Sequence, residues 1–132
     1  MENTCPSATP VGEPKRTAVL IACKNGEAMI GSVVRSASAQ ADVFVVSDGS
    51  TDRTVAEARL AGAAVLSREV SSGKPAALGA AVEHFRITAR YDYVLVVDDD
   101  ATISADYVER FTRRMDACLS PAAPVQGVPR QL

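Results

Sequence analysis

The sequence predicts an α/β domain: a mainly parallel sheet with helices on both faces. Three observations carry this reading. Short, wholly apolar runs recur at 18–22, 43–46 and 93–97, as in strands covered on both sides. Between them, apolar residues repeat at i, i+3, i+4 and i+7, as on a helix face turned to a core. The two kinds of segment alternate as β-α-β-α-β-α-β-α, which calls for parallel strands joined by helical crossovers.

The elements follow in order. Residues 1–16, rich in Pro, Thr, Ser and Glu, read as a disordered leader. Residues 17–119 hold all the periodic pattern and read as one incomplete domain, and 120–132, with Pro121, Pro124 and Pro129, as a loose tail. Ala18 to Ala22 form the first strand. Ile30, Val33, Val34 and Ala37 mark the first helix. Val43 to Val46 form the second strand, which runs into Ser47-Asp48-Gly49-Ser50-Thr51-Asp52, a group of turn and N-cap residues. A helix over 52–61 ends at Gly62. Ala63 to Leu66 form a weaker third strand. Pro75 suits the first turn of a third helix, which is expected to bury Leu78, Ala81, Val82 and Phe85. Tyr93 to Val97 read as the strongest strand, followed by Asp98-Asp99-Asp100. A last helix over 105–118 places Val108, Phe111 and Met115 on one face.

Composition narrows the function. The 132 residues are 47% hydrophobic and 23% charged, with a formal charge of −2. That is a single globular domain without the basic excess of a nucleic-acid binder. Aromatics are 5% and Trp is absent, so platforms for stacking bases are scarce. No apolar run reaches the roughly eighteen residues of a membrane span, and the amino terminus lacks the apolar stretch of a signal peptide. Cys5, Cys23 and Cys118 are widely spaced and odd in number, which points to a reducing, cytoplasmic setting.

The polar segments 47–52 and 98–100 both follow apolar strands. In open parallel sheets, ligands bind outside the carboxyl ends of the strands, near the switch in strand order. Asp98-Asp99-Asp100 would repel one another at a strand end unless a cation offsets them. Asp98 and Asp100 form a D-x-D pair suited to Mg²⁺ or Mn²⁺, hard ions that take one or two carboxylates plus phosphate oxygens. The competing reading is a solvated acidic turn. Asp48 leaves a buried strand just before Gly49, and its carboxylate can accept from a base N–H or a ribose hydroxyl. Asp52 reads as structural, at a helix start. Gly73-Lys74 precedes a helix but lacks the spacing of a P-loop, because Arg68 and Pro75 stand where Gly and Ser or Thr are needed. Lys74 can still meet a phosphate.

Four motifs in this order resemble glycosyltransferase family 2, the inverting GT-A fold. Val19 to Gly31 is similar to the opening V-(S/L)-I-P-A-x-N-E-E-x-x-I. Val46-Ser47-Asp48-Gly49-Ser50-Thr51-Asp52 matches (D/S)-D-G-S-x-D, and Gly73-Lys74-Pro75-Ala76-Ala77-Leu78 matches G-K-x-x-A-L. Val96-Val97-Asp98-Asp99-Asp100 with Asp106 matches D-x-D followed by (P/A)-D-Y-(L/V). The resemblance covers about 17–115 and implies a Rossmann-like nucleotide-binding half of that fold, truncated here. It implies a nucleoside-diphosphate-sugar donor, a UDP-sugar favoured. Ala22, Cys23 and Glu27, in the loop after the first strand, would lie by the nucleotide. Asp48 would bind the base and Lys74 would lie near the nucleotide. Asp98 and Asp99 would contact the donor, and Asp98 and Asp100 the Mg²⁺ or Mn²⁺. The reaction implied is transfer of the sugar, with inversion, to an acceptor hydroxyl.

Ala22, Gly26 and Gly79 depart from the family's Pro, Glu and Asn. The half that carries the acceptor site and catalytic base is expected to be missing, since no candidate base follows Asp116. Its absence would leave apolar surface and a strand edge open, so self-association through the uncovered half is expected. A concentration-independent monomeric melt would count against that. Regions outside the chain would decide whether the protein sits at the inner face of a membrane.

His84 has no partner at ligand spacing, Cys23 is a lone thiol, and Met29 and Met115 sit at core spacing. The arginines 110, 113 and 114 read as a solvated helix face. Two alternatives stand beside the transferase reading. One is a non-catalytic nucleotide-binding fragment. The other is a haloacid-dehalogenase-type phosphatase, with Asp98 as nucleophile and Asp100 as general acid. That second family needs further motifs after Ile103, where few residues remain.

Overall fold

A computed structural model describes residues 16–119. The expected leader, apart from Arg16, and the expected tail lie outside the described residues. Arg16 is fixed at the sheet's lower edge. Its amide donates to Asp92 Oδ2 at 2.9 Å, and its guanidinium lies 4.6 Å from the Tyr91 ring centroid.

Four strands form one parallel sheet in the order β3-β2-β1-β4: β1 Thr17–Cys23, β2 Val43–Asp48, β3 Ala64–Arg68 and β4 Tyr93–Val96. The helices are α1 Ile30–Ser38, α2 Thr54–Leu60, α3 Lys74–His84, α4 Ile87–Arg90 and α5 Tyr107–Leu119. The chain moves outward from β1 through β2 to β3, then returns to place β4 on the other side of β1. The switch point therefore lies between β1 and β4, and in folds of this kind ligands bind at the carboxyl ends of the strands there.

Strand alternation divides the core in two. Val19, Ile21, Val43, Val45 and Leu95 point to one face, where Ile30, Val33, Val34 and Ala37 of α1, Ala58 of α2 and Val108 of α5 cover them. Ala18, Leu20, Phe44 and Val46 point to the other, against Ala77 and Ala81 of α3 and Ile87 of α4. All of β1 is buried, as befits a central strand with helices above and below. Burying a side chain such as Leu20 or Ile21 stabilises by about 1.5–3 kcal/mol.

Three expectations change. The run 93–97 is not a two-sided strand. It is the sheet edge, with Leu95 buried while Val94 and Val96 remain 36% and 46% exposed. Val94 and Val96 share the face that α3 covers over β1 and β2, but α3 does not reach β4. The third helix buries Ala77 and Ala81 fully, while Leu78, Val82 and Phe85 are only partly buried at its flanks. Two alanines let the helix axis approach the sheet closely, so the larger side chains splay sideways. The short α4 has no periodic signature in the sequence. It begins after Arg86 turns left-handed (φ 56°), and it sets Ile87 into the second core.

Ser47, beside Cys23 in register, is 1% exposed, and its hydroxyl has no hydrogen-bond partner among the described residues. A buried unpaired hydroxyl costs about 1–3 kcal/mol. Ser47→Ala is therefore expected to match or raise the stability of the parent in urea melts. A clear fall would mean that a bound water satisfies the hydroxyl.

Candidate functional site

The upper edge of the sheet is built from four connections. Two of them interlock. Asn25, left-handed at φ 54°, accepts at Oδ1 from the Thr51 amide at 2.7 Å, and its own amide donates to Ser50 Oγ at 3.0 Å. The Gly26 amide donates to Thr54 Oγ1 at 2.9 Å. The Arg53 amide donates to Glu27 Oε1 at 2.8 Å, while the Glu27 amide reaches Asp52 Oδ2 at 3.3 Å. Asp52 also accepts from the Thr54 amide at 2.9 Å and from the Thr54 hydroxyl. The Thr54 hydroxyl bond, above all, holds the Asp52 carboxyl below its ordinary range. Asp52 thus closes the turn into α2, the structural role its position suggested.

Asp48 ends β2 with its side chain buried on the α3 side. Its Oδ2 accepts from the Gly73 amide at 3.0 Å, from Ser71 Oγ at 3.0 Å and from the Ser72 amide at 3.2 Å. Its Oδ1 accepts from the Ser72 amide at 3.0 Å and from Ser72 Oγ at 3.5 Å. The Ser72 amide is the chief reason the Asp48 carboxyl lies below the usual range, against the opposing effect of burial. Gly73, at φ 93° and ψ 155°, then starts α3. Lys74 is the first residue of that helix, and its Nζ lies 3.1 Å from Asp98 Oδ1.

Cys23 closes the other side. Burial, followed by the Asp99 charge, pushes its thiol up to about 12. A Cβ placed on Gly26 would stand 2.4 Å from Cys23 Sγ. This accounts for one departure from the family pattern, in which Ala stands at position 23 and Glu at 26. The larger residue at 23 occupies the space a side chain at 26 would need. Gly26→Ala is accordingly expected to cost about 1–3 kcal/mol as overpacking. Cys23→Ala in the same chain should recover most of that loss in a double-mutant cycle. Strictly additive effects would mean that the thiol is not what Gly26 avoids.

Asp48, Lys74, Asp98, Asp99 and Asp100 thus come to one edge. Ala22 and Cys23 do not sit in a loop, as expected, but end β1 in register with Val46 and Ser47, their side chains turned into opposite cores. The Glu27 carboxylate serves the start of α2. The work of Asn25, Ser71 and Ser72 was not foreseen. Asn25 in a tight loop offered a signal for a left-handed turn, whereas the serines had none.

A hard cation fits the donor set only in part. Asp98 and Asp100 are exposed carboxylates, and among the described residues no three Asp, Glu, His or Cys side chains converge as a complete metal site. Two carboxylates suit Mg²⁺ or Mn²⁺ when diphosphate and water oxygens complete the shell.

Comparison with curated protein sequences gives no match. Solved structures do match. Glucosyl-3-phosphoglycerate synthase from Mycobacterium tuberculosis, crystallised with Mn²⁺, UDP and glucosyl-3-phosphoglycerate, is 28% identical with a TM-score of 0.61, over 76% of this chain and 39% of that one. The same enzyme with Mn²⁺, UDP-glucose and phosphoglyceric acid is 30% identical with a TM-score of 0.57, over 79% of this chain and 42% of that one. A mycobacterial protein matches at 29% identity and a TM-score of 0.61, over 76% of this chain and 37% of that one. This chain therefore spans about two fifths of the length of these structures, and its four parallel strands with flanking helices match part of the GT-A fold. No helix among the described residues is long and apolar enough to cross a membrane. Residues 18–122 match glycosyl transferase family 2, and the chain belongs to that family.

Proposed function

We propose that this domain binds a nucleoside-diphosphate sugar across the carboxyl edge of its sheet, as the donor half of an inverting glycosyltransferase. The observation that carries the reading is the convergence of Asp48, Lys74 and Asp98. They come from the end of β2, the start of α3 and the end of β4: Asp48 holds the residues that lead into Lys74, and Lys74 pairs with Asp98. The base would lie toward β2, beside Asp48. The diphosphate would lie between Lys74 and the loop 98–100. The Mn²⁺ and UDP bound by the matched synthase favour a UDP-sugar here.

Asp98, Asp100 and the diphosphate would share a Mg²⁺ or Mn²⁺, which when bound offsets the charge building on the leaving diphosphate. Lys74 would turn from Asp98 to a phosphate oxygen and orient it. Cys23, buried beside the Asp99 charge, would keep its thiol protonated. Asp116 accepts from Tyr93 OH at 2.5 Å, at the far end of β4, and does not serve as the base. A general base contributes about 10²–10⁴-fold, so transfer by this chain alone is expected to be slow or absent.

The test is a thermal melt with UDP, GDP or neither, with and without Mn²⁺. A ligand that binds only the folded state adds about 2.7 kcal/mol at a hundredfold excess over Kd. A shift that needs both UDP and Mn²⁺ supports the reading. The absence of any nucleotide shift in a folded sample overturns it.

A further inference from the structure

Asp48 is more occupied than a base contact needs to be. Its Oδ2 takes three donors, all from residues 71–73. Those residues carry no regular structure of their own, and they lead directly into Lys74. The Gly73 amide, a donor at the amino end of α3, points at Asp48 rather than at the open edge. Pro75, in the first turn of α3, has no N–H. The helix start is thus already satisfied in part by a carboxylate, a favourable partner for that end of the helix. What remains exposed toward Asp98 is the Lys74 ammonium.

We infer that Asp48 is a positioning residue for the diphosphate end of the site: it gathers residues 71–73 so that α3 presents Lys74 to the loop at 98–100. This rests on the nucleotide reading for the identity of the ligand, though not for the clamp itself. Both carboxylate oxygens hold the loop, Oδ2 through Ser71 Oγ and the Gly73 amide and Oδ1 through the Ser72 amide. Asp48→Asn keeps the shape but sets an amide NH₂ or a single weaker acceptor against three N–H and O–H donors, so the loop should loosen.

The experiment compares three ligands on the full chain: Mn²⁺·UDP, Mn²⁺·pyrophosphate, which has no base, and uridine, which has no phosphate. Asp48→Asn is expected to weaken pyrophosphate about five- to tenfold, and Lys74→Gln similarly. The double variant should be no weaker than either single one, the non-additivity expected of coupled residues. Pyrophosphate affinity unchanged in Asp48→Asn, with uridine affinity lost, would make Asp48 a base contact only and overturn the inference. So would multiplicative losses in the double variant.

Gly73→Ala guards against misfolding of Asp48→Asn. Nothing lies within 4 Å of a Cβ at position 73, so only the backbone conformation is disturbed, and pyrophosphate should again weaken. Unchanged affinity there counts against the clamp. Hydrogen exchange then decides the clamp without any ligand. The Ser72 and Gly73 amides should be protected in the parent and exchange faster in Asp48→Asn, while β1 amides stay protected. Equal exchange at 72 and 73 in both chains overturns the inference. If the parent binds neither UDP nor pyrophosphate, the nucleotide reading fails, and the exchange result still stands or falls alone.

Discussion

With Asp100 replaced by alanine, UDP and Mn²⁺ together are expected to raise the melting temperature no more than UDP alone. In the parent the combined shift should be large. About 2.7 kcal/mol of ligand stabilisation at a hundredfold excess corresponds to roughly 10 °C or more for a domain near a hundred residues. Asp100 is the informative position because its carboxylate is exposed and enters no ion pair among the described residues. Its removal should change the ligand-free melt by no more than about 0.5 kcal/mol, as for other surface substitutions. Loss of the shift would then report binding and not folding. Asp98→Asn is a less clean variant, since it also frees Lys74 from its 3.1 Å partner. That lysine could then draw an anion by itself and mask the loss of metal. An Asp100→Ala chain that keeps the full Mn²⁺-dependent shift would place the cation elsewhere and remove the D-x-D argument.

The order of elements was legible because a parallel sheet writes itself in the chain as short apolar runs, and its crossovers as a helical period. The site edge was legible for the same reason, since polar clusters after apolar runs must emerge at strand ends. Asp52 was legible as a cap because its partner, Thr54, is two residues away. Asp48 and Glu27 were not legible in their structural roles, because their donors lie 23 to 26 residues downstream. Whether such a carboxylate faces a ligand or a neighbouring loop depends on packing that no local pattern records. β4 failed differently. Its composition is that of a fully covered strand, but coverage belongs to the helices above it, and α3 stops short over Val94 and Val96. Gly26 looked like a loss of a family residue until the distance to Cys23 showed two substitutions that accommodate each other.

Gly49→Ala is expected to be among the most damaging single-methyl additions in this domain. Two costs fall on the same atom. The backbone at 49 has φ +79°, where an L-residue is disfavoured by about 1–2 kcal/mol. A Cβ there would also stand 2.8 Å from the Ser71 amide nitrogen and 3.2 Å from Ser71 Cα and Cβ. These are largely backbone atoms that cannot rotate away. The strands hold them close, since the Gly49 amide donates to Arg68 O at 2.9 Å at the last register step between β2 and β3. Overpacking of this kind adds about 1–3 kcal/mol, for a total of roughly 2–5 kcal/mol. The stability should fall in urea melts, and the 72 and 73 amides should exchange faster because a displaced Ser71 draws them from Asp48. Gly73→Ala isolates backbone strain, since position 73, at φ 93° and ψ 155°, lies in a region almost confined to glycine, with open space around the new methyl. If Gly49→Ala leaves the 72 and 73 amides as protected as in the parent, residues 71–73 do not rest against the end of β2. A cost at 49, together with loss of amide protection at 72 and 73, would establish that the turn after β2 and the start of α3 are one packed unit.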